Sequence, residues 1–181
     1  MNVVEEALRR LAHEAKHGSP PLVTFLWDEK QNKPVSEQRL SDFLKFYLNR
    51  EWRDGRIIIN REVEIRNWRD FGIGERMDLF VQAISADKNA HQPQLCVVIE
   101  VKPDNKAKPQ IDIPDQLIGK YLDGETRSCG IYLVGWFGKG RCTIDQLKEK
   151  AVQCALENTS DRIKVNSIVV DLCHPLSTTK P

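Results

Sequence analysis

Four charged residues, Glu37, Asp78, Glu100 and Lys102, stand where regular elements of this chain are expected to begin or end. Two of them lie in Val97-Val98-Ile99-Glu100-Val101-Lys102, whose β-branched residues Val97, Val98, Ile99 and Val101 predict a buried strand. Side chains alternate along a strand, so Glu100 and Lys102 share one face and Val101 takes the other. A carboxylate and an ammonium side by side on a buried strand are costly unless paired or bound. Carboxylates beside a lysine suit the metal-assisted hydrolysis of a phosphodiester. Mg²⁺ (or Mn²⁺) takes oxygen ligands, usually one or two carboxylates with waters and phosphate oxygens. Asp78 and Glu100 would supply the carboxylates, and the carbonyl of Val101 a backbone ligand. Bound metal lowers the pKa of its water and neutralises charge developing at phosphorus. Lys102 would orient that water or stabilise the transition state, and Glu37 would position a water or a second metal. The simpler reading of Glu100 and Lys102 is a strand running out into solvent, with an ion pair contributing about 0–1 kcal/mol. It leaves Asp78 unexplained.

The elements that must position these groups are legible in order. Val4, Leu8, Leu11 and Ala15 make residues 3–17 an amphipathic helix, ended by Gly18-Ser19-Pro20-Pro21. Leu22 to Trp27 reads as a short strand and 28–34 as a polar turn. Ser36 is a good N-cap, with Val35 and Leu40 as a hydrophobic staple across it. The stripe Leu40, Phe43, Leu44, Tyr47, Leu48 makes a second helix. Glu37, seven residues before Leu44, falls on its core-facing side. A carboxylate in a first turn gains a few tenths to about 1 kcal/mol from the helix dipole alone.

Asp54-Gly55 predicts a turn, residues 56–66 a strand bulged near Asn60, and 67–75 a loop with Gly72 and Gly74. Met77 to Ile84 is the next strand, 85–93 a loop, and 94–102 the strand that carries Glu100. A symmetric hairpin sets Ile84 opposite Gln94 and so Asp78 opposite Glu100. Opposed Cβ atoms lie about 4.5–5.5 Å apart. Two carboxylates at that range repel by roughly 3–4 kcal/mol at an effective dielectric of about 20. A cation between them, with Lys102 alongside, relieves the conflict. Pro103, Pro109 and Pro114 predict irregular structure over 103–114, with Lys106 and Lys108 exposed. A helix over Asp115 to Leu122, a buried strand over Cys129 to Phe137, a helix from 144 to about 157 capped by Thr143, and a strand over Ile163 to Leu172 complete the chain.

The composition bounds the function. The chain has 181 residues, enough for one domain with a real core, and 40% hydrophobic with 29% charged residues is ordinary for a globular protein. The net charge of +1 means that any attraction for nucleic acid must be local. Five cysteines at irregular spacings, with no CxxC pair, argue against zinc and for free thiols in a reducing compartment. No run is long enough to cross a membrane and no signal peptide is evident, so the expected location is cytoplasmic.

The order helix, three strands, helix, strand, with Asp78 followed by Glu100-Val101-Lys102, resembles the PD-(D/E)xK nuclease superfamily, the restriction-endonuclease-like fold. Met77 stands in place of the proline of that name, and the resemblance covers roughly residues 34–137. It implies an α/β fold with an αβββαβ core, a mixed central sheet flanked by helices, and an extra C-terminal helix and strand. It implies that Glu37, Asp78, Glu100 and Lys102 are catalytic, joined by Gln116 on the following helix. The implied partner is nucleic acid, DNA rather than RNA, and an oligomer is compatible. Ser36-Glu37, Gly74-Glu75-Arg76-Met77-Asp78, Gln116-Leu117 and Gly130-Ile131-Tyr132-Leu133-Val134-Gly135-Trp136 are similar to C-terminal nuclease modules of larger bacterial defence-type proteins. An upstream domain or protein partner is then expected. The organisation expected is an N-terminal helix and linker over 1–21, a nuclease-like domain over 22–173 and a frayed tail over 174–181. Arg76, Lys106, Lys108, Lys120 and Tyr121 are expected to form a nucleic-acid rim, with Lys139 and Arg141 as further phosphate contacts. Trp68, between Arg66 and Arg69, is the best candidate for stacking on a base. The alternative is a catalytically silent module of the same fold that binds nucleic acid or a protein.

Overall fold

The computed structural model describes residues 1–19, 21–28, 30, 32–52, 57–64, 76–83 and 95–174. Helix α1 (Asn2–His17) buries Val4, Ala7, Leu8, Leu11 and Ala15. A 3-10 helix over Leu22–Leu26 follows, then a two-stranded ribbon of β1 (Trp27–Asp28) and β2 (Lys33–Pro34). The strand expected over Leu22 to Trp27 is therefore corrected to a 3-10 turn. Its spacing of three buries both Val23 and Leu26, and Thr24 N–H donates to the Pro21 carbonyl. A strand there would need a partner for its backbone groups.

Helix α2 (Glu37–Glu51) starts as expected, with the Ser36 hydroxyl accepting from the Arg39 N–H and Val35 and Leu40 both buried. Strands β3 (Ile57–Glu64), β4 (Arg76–Ala83) and β5 (Leu95–Pro103) form an antiparallel meander. Strands β6 (Cys129–Trp136) and β7 (Lys164–Asp171) add on parallel to β5, giving one mixed sheet in chain order. Asn60 itself pairs with Phe80, in a ladder of constant offset from Ile57↔Ala83 to Glu64↔Arg76 that is interrupted once. The local irregularity is at Glu62, which is unpaired and has φ 54°. The β4–β5 offset, Leu79↔Ile99 through Ala83↔Leu95, is the one that the symmetric hairpin predicts.

Helix α3 corrects a second expectation. It begins at Pro109 rather than Asp115, as an α-helical turn Pro109–Ile111 that continues as a π-helix, Asp112–Tyr121. Pro109 sits at N1, where a missing N–H costs nothing. Pro114 falls among the first residues of the wide turn, whose longer hydrogen-bond spacing accommodates a ring that an α-helix interior rejects. Helix α4 (Ile144–Glu157) carries a complete capping box between Thr143 and Gln146.

The sheet is covered on both faces. Leu8, Leu11, Leu40 and Leu44 from α1 and α2 pack on Val97, Ile99 and Val101. Ile113, Leu117, Leu147 and Ala151 from α3 and α4 pack on Val98, Tyr132 and Val134. Gly135 of β6 fixes how closely α2 approaches: a Cβ there would lie 2.9 Å from Leu40 Cδ2. Helix α1 is fastened to α2 by ion pairs of Arg10 with Glu51 (2.9 Å) and Arg50 with Glu14 (2.7 Å), and to β7 by Lys16 with Asp171. All five cysteines are free thiols. Among the described residues no helix is long and apolar enough to cross a membrane. The Asp54-Gly55 turn, the loops with Gly72, Gly74 and Trp68 and over 85–93, and the tail beyond His174 lie outside the described residues.

Candidate active site

Strands β4 and β5 part at Asp78. Their last paired residues are Leu79 and Ile99; on the other side β4 has no β3 partner at Asp78 and pairs again at Met77 and Arg76. Beyond the fork the Val101 N–H donates not to a β4 carbonyl but to Asp78 Oδ2, at 2.8 Å. The alternation of β4 breaks at the same point. Leu79 and Val81 pack on the α1–α2 side, but Met77 packs on the α3 side. The fork thus leaves the Asp78 carboxylate against the backbone of β5, one residue from Glu100.

Glu100 is 2% exposed, the deepest charged group in the chain's described residues. Lys102 Nζ lies 2.7 Å from Glu100 Oε1 and 2.9 Å from Glu37 Oε1. Lys106 Nζ lies 3.2 Å from Glu37 Oε2. Glu100, Lys102, Glu37 and Lys106 therefore form a run of alternating charge from the sheet interior to the surface. Helix α2 supplies Glu37 because its first turn is held over the carboxyl end of β5, where Leu40 rests against Gly135.

The electrostatics show how crowded the carboxylates are. Burial raises the pKa of Asp78, and the Val101 N–H and the Lys102 charge only partly offset it. Burial, then the charge of Asp78, pushes Glu100 up to about 7 against the pull of Lys102. Burial alone would raise Glu37 as well, but its bonds to Lys102 and Lys106 hold it below the ordinary carboxylate value. Lys102 is raised despite burial, because Glu100, Glu37 and Asp78 surround it. Both ends of the Glu100–Lys102 pair shift upward, which favours the charged ammonium but disfavours the charged carboxylate. The ammonium gains from every carboxylate, while Glu100 feels its like-charged neighbour as well as the lysine.

A stability test follows. Glu100 has a folded pKa of about 7 against 4.5 for the free group. Its contribution is fully present below the lower value and lost as pH rises through the upper one. In metal-free buffer Glu100→Gln should match the parent near about pH 4.5 and exceed it near about pH 8 by roughly 1–3 kcal/mol. Urea unfolding in EDTA at both pH values measures this, and an equal difference at the two would refute it.

The donor set fits a hard divalent ion. Asp78 and Glu100 are crowded oxygen donors whose mutual charge a cation would relieve, and the Val101 backbone lies beside them. Among the described residues no three His, Cys, Asp or Glu side chains gather as a ready cage. Mg²⁺ commonly makes do with one or two carboxylates and fills its shell with waters and phosphate oxygens.

An opening of about 550 Å³ leads to the fork, lined by Glu37, Arg61, Glu62, Arg76, Asp78 and Lys106. Of the residues expected around it, the structure brings Glu37, Asp78, Glu100, Lys102 and Lys106 together. Gln116 is half-buried on α3, outside their hydrogen-bond run. Tyr121 is not a rim residue: it is 7% exposed, and its hydroxyl donates to the Arg76 carbonyl at 2.8 Å, tying α3 to β4. Its ring belongs to the apolar stripe of α3, which explains its burial. Arg76 is on the rim, with Nη1 3.6 Å from Glu62. Lys120 is exposed on α3, and Lys108 is exposed but lines a different cleft.

Arg61, Glu62 and Asp112 were not singled out by sequence. Arg61 and Glu62 follow Asn60 at the end of an isoleucine run, and Arg61 pairs with both Asp42 and Glu62. Asp112 is 4% exposed and accepts from the Tyr132 hydroxyl (2.6 Å) and the Lys108 N–H (2.7 Å). Burial and this bond raise the Tyr132 pKa, so the phenol stays a donor. The only sequence signal for Asp112 is its place four residues after Lys108, the N-cap of α3. No protein-family model, curated protein or solved structure matches the chain.

Proposed function

We propose that this chain is a Mg²⁺- or Mn²⁺-dependent nuclease of the PD-(D/E)xK, restriction-endonuclease-like kind, hydrolysing phosphodiester bonds in nucleic acid, with DNA the preferred substrate. One observation carries the reading: Asp78 from β4, Glu100 and Lys102 from β5 and Glu37 from α2 converge where β4 leaves β5. The element order α2, β3 to β5, α3, β6 follows the αβββαβ pattern of that kind, with α4 and β7 as the extension. Asp78 and Glu100 would hold the ion, with the Val101 backbone beside them. Bound there, the ion supplies an activated water and neutralises charge on the phosphate. Lys102, fixed between Glu100 and Glu37, keeps a cation beside the reacting phosphate without having to be reoriented. Glu37 positions Lys102, and its second oxygen holds Lys106 at the mouth.

The test is cleavage of plasmid, linear DNA and RNA by the purified chain with Mg²⁺, with Mn²⁺ and in EDTA. Cutting is expected with either ion and not in EDTA. It is expected to vanish in Asp78→Asn, which still offers an oxygen to the Val101 N–H and so retains the fold. A chain that binds DNA or RNA but cuts neither with either ion belongs to the silent-module alternative.

A further inference from the structure

Both crossovers of the parallel half of the sheet leave from the same edge, the carboxyl ends of β5 and β6. Open α/β sheets place ligands along that edge. The candidate active site occupies one part of it. A second cleft of about 650 Å³ occupies the next, between the loop after β5 and the loop after β6. Lys108, Lys139, Arg141 and Lys150 line it, and Asp104 is the one acidic residue among its described lining. For a chain of net charge +1 this is a strong local excess of cations.

The cleft walls are held in place by Asp104. It is 6% exposed, and its Oδ2 accepts from the N–H groups of Lys139 (2.7 Å) and Gly140 (2.8 Å). Asp104 N–H donates to the Gly135 carbonyl, and Lys108 N–H to Asp112. The side-chain cations, by contrast, are uncommitted. Among the described residues Lys108, Arg141 and Lys150 have no carboxylate partner, and Lys139 has only the Trp27 ring, 5.5 Å from its Nζ. A fixed frame that presents unpaired cations across a cleft suits an extended polyanion.

The 104–108 loop separates the two clefts. Lys106 lines the one with the carboxylates and Lys108 the other. Cα atoms two residues apart are at most about 7 Å apart, about two nucleotide steps along a duplex. We propose that the Lys108–Lys139–Arg141–Lys150 cleft binds the backbone phosphates of a polynucleotide that continues past the bond presented to Asp78 and Glu100. The substrate is then a polymer, not a mononucleotide or small phosphodiester. The assignment of a polynucleotide rests on the nuclease reading; the charge of the cleft does not.

Binding of a fluorescein-labelled DNA duplex, followed by anisotropy in EDTA over a range of salt, separates the two. Arg141→Ala/Lys150→Ala should weaken binding by about tenfold and flatten the log–log salt dependence by about 1–2, because each phosphate contact contributes about 0.9 to the slope. Lys148→Ala, on α4 but outside the cleft lining and paired with Asp145, should leave the slope unchanged. Thermal melts of each variant confirm folding. An unchanged affinity and slope in the double variant overturns the cleft assignment, whatever the cleavage result. So does competition by a nucleoside monophosphate as effective as by unlabelled duplex. If the parent chain cuts nothing with metal but the double variant flattens the slope, the nuclease reading fails and the cleft stands.

Discussion

Lys102→Ala is expected to lower DNA cleavage by about 10²–10³-fold at saturating metal, the range lost when a preorganised stabilising donor is removed. The geometry explains why Lys102 is hard to replace. Its ammonium bridges Glu100 at 2.7 Å and Glu37 at 2.9 Å, so one substitution removes the cation from two carboxylates. It also unbalances the folded state. Losing one member of a buried pair costs about 3–5 kcal/mol while the remaining charge stays ionised. Glu100 escapes most of that by taking up a proton, since burial and Asp78 already hold its pKa near 7. Removing Lys102 raises it further. The sign is therefore fixed: metal-free Lys102→Ala should lose little stability near about pH 5 and progressively more toward about pH 8. Cleavage and melting temperature, measured on the same preparation, check both halves. A Lys102→Ala chain that cuts within about tenfold of the parent would remove the lysine from the mechanism.

Asp112→Ala is expected to destabilise the fold by about 2–4 kcal/mol. Asp112 is 4% exposed and is the acceptor for a buried phenol at 2.6 Å and a backbone N–H at 2.7 Å. Truncating it strands both donors, at about 1–3 kcal/mol each. For a domain of this size each kcal/mol corresponds to about 2–4 °C, so the melting temperature should fall by about 5–15 °C. Asp112→Ala/Tyr132→Phe should recover part of the loss, because it removes one stranded donor together with its acceptor. Denaturant unfolding of the four-member cycle measures the coupling. A loss below about 0.5 kcal/mol with no coupling would reduce Asp112 to an ordinary first-turn carboxylate. Because Asp112 also fixes the Lys108 backbone, the loosened variant should weaken the salt-dependent DNA binding assigned to the basic cleft.

Local sequence determined a good deal. The Ser36 and Thr143 caps, the stripes of α1, α2 and α4, and the β-branched runs of β5 and β6 place those elements close to where the structure has them. Each signal acts within a few residues, so no other part of the chain is needed to read it. The β4–β5 register was legible for the same reason. Alternating burial tolerates no slip by one residue, and a short connection favours an antiparallel pair. Leu22 to Leu26 and the start of α3, Pro109 to Pro114, depart from the local expectation, and both are runs with apolar residues at or beside prolines. In each, packing of the run on the core, not its local propensity, decided the backbone.

The site divides along the same line. Sequence determined which groups carry charge on otherwise buried elements: Glu37 in a first turn, Asp78 on β4, Glu100 and Lys102 on one face of β5. Only the tertiary structure decided what each touches. Asp78 turns to the Val101 N–H because β4 leaves the ladder there, a choice made by pairing with β3 and by Met77 packing under α3. Lys102 reaches Glu37 because α2 lies close over the sheet at Gly135. Lys106 and Lys108, two residues apart, end in different clefts because the loop between them is pinned by Pro103 and by Asp112. Side-chain type and spacing set what a group is able to do. Long-range packing, which no local pattern encodes, sets its partners.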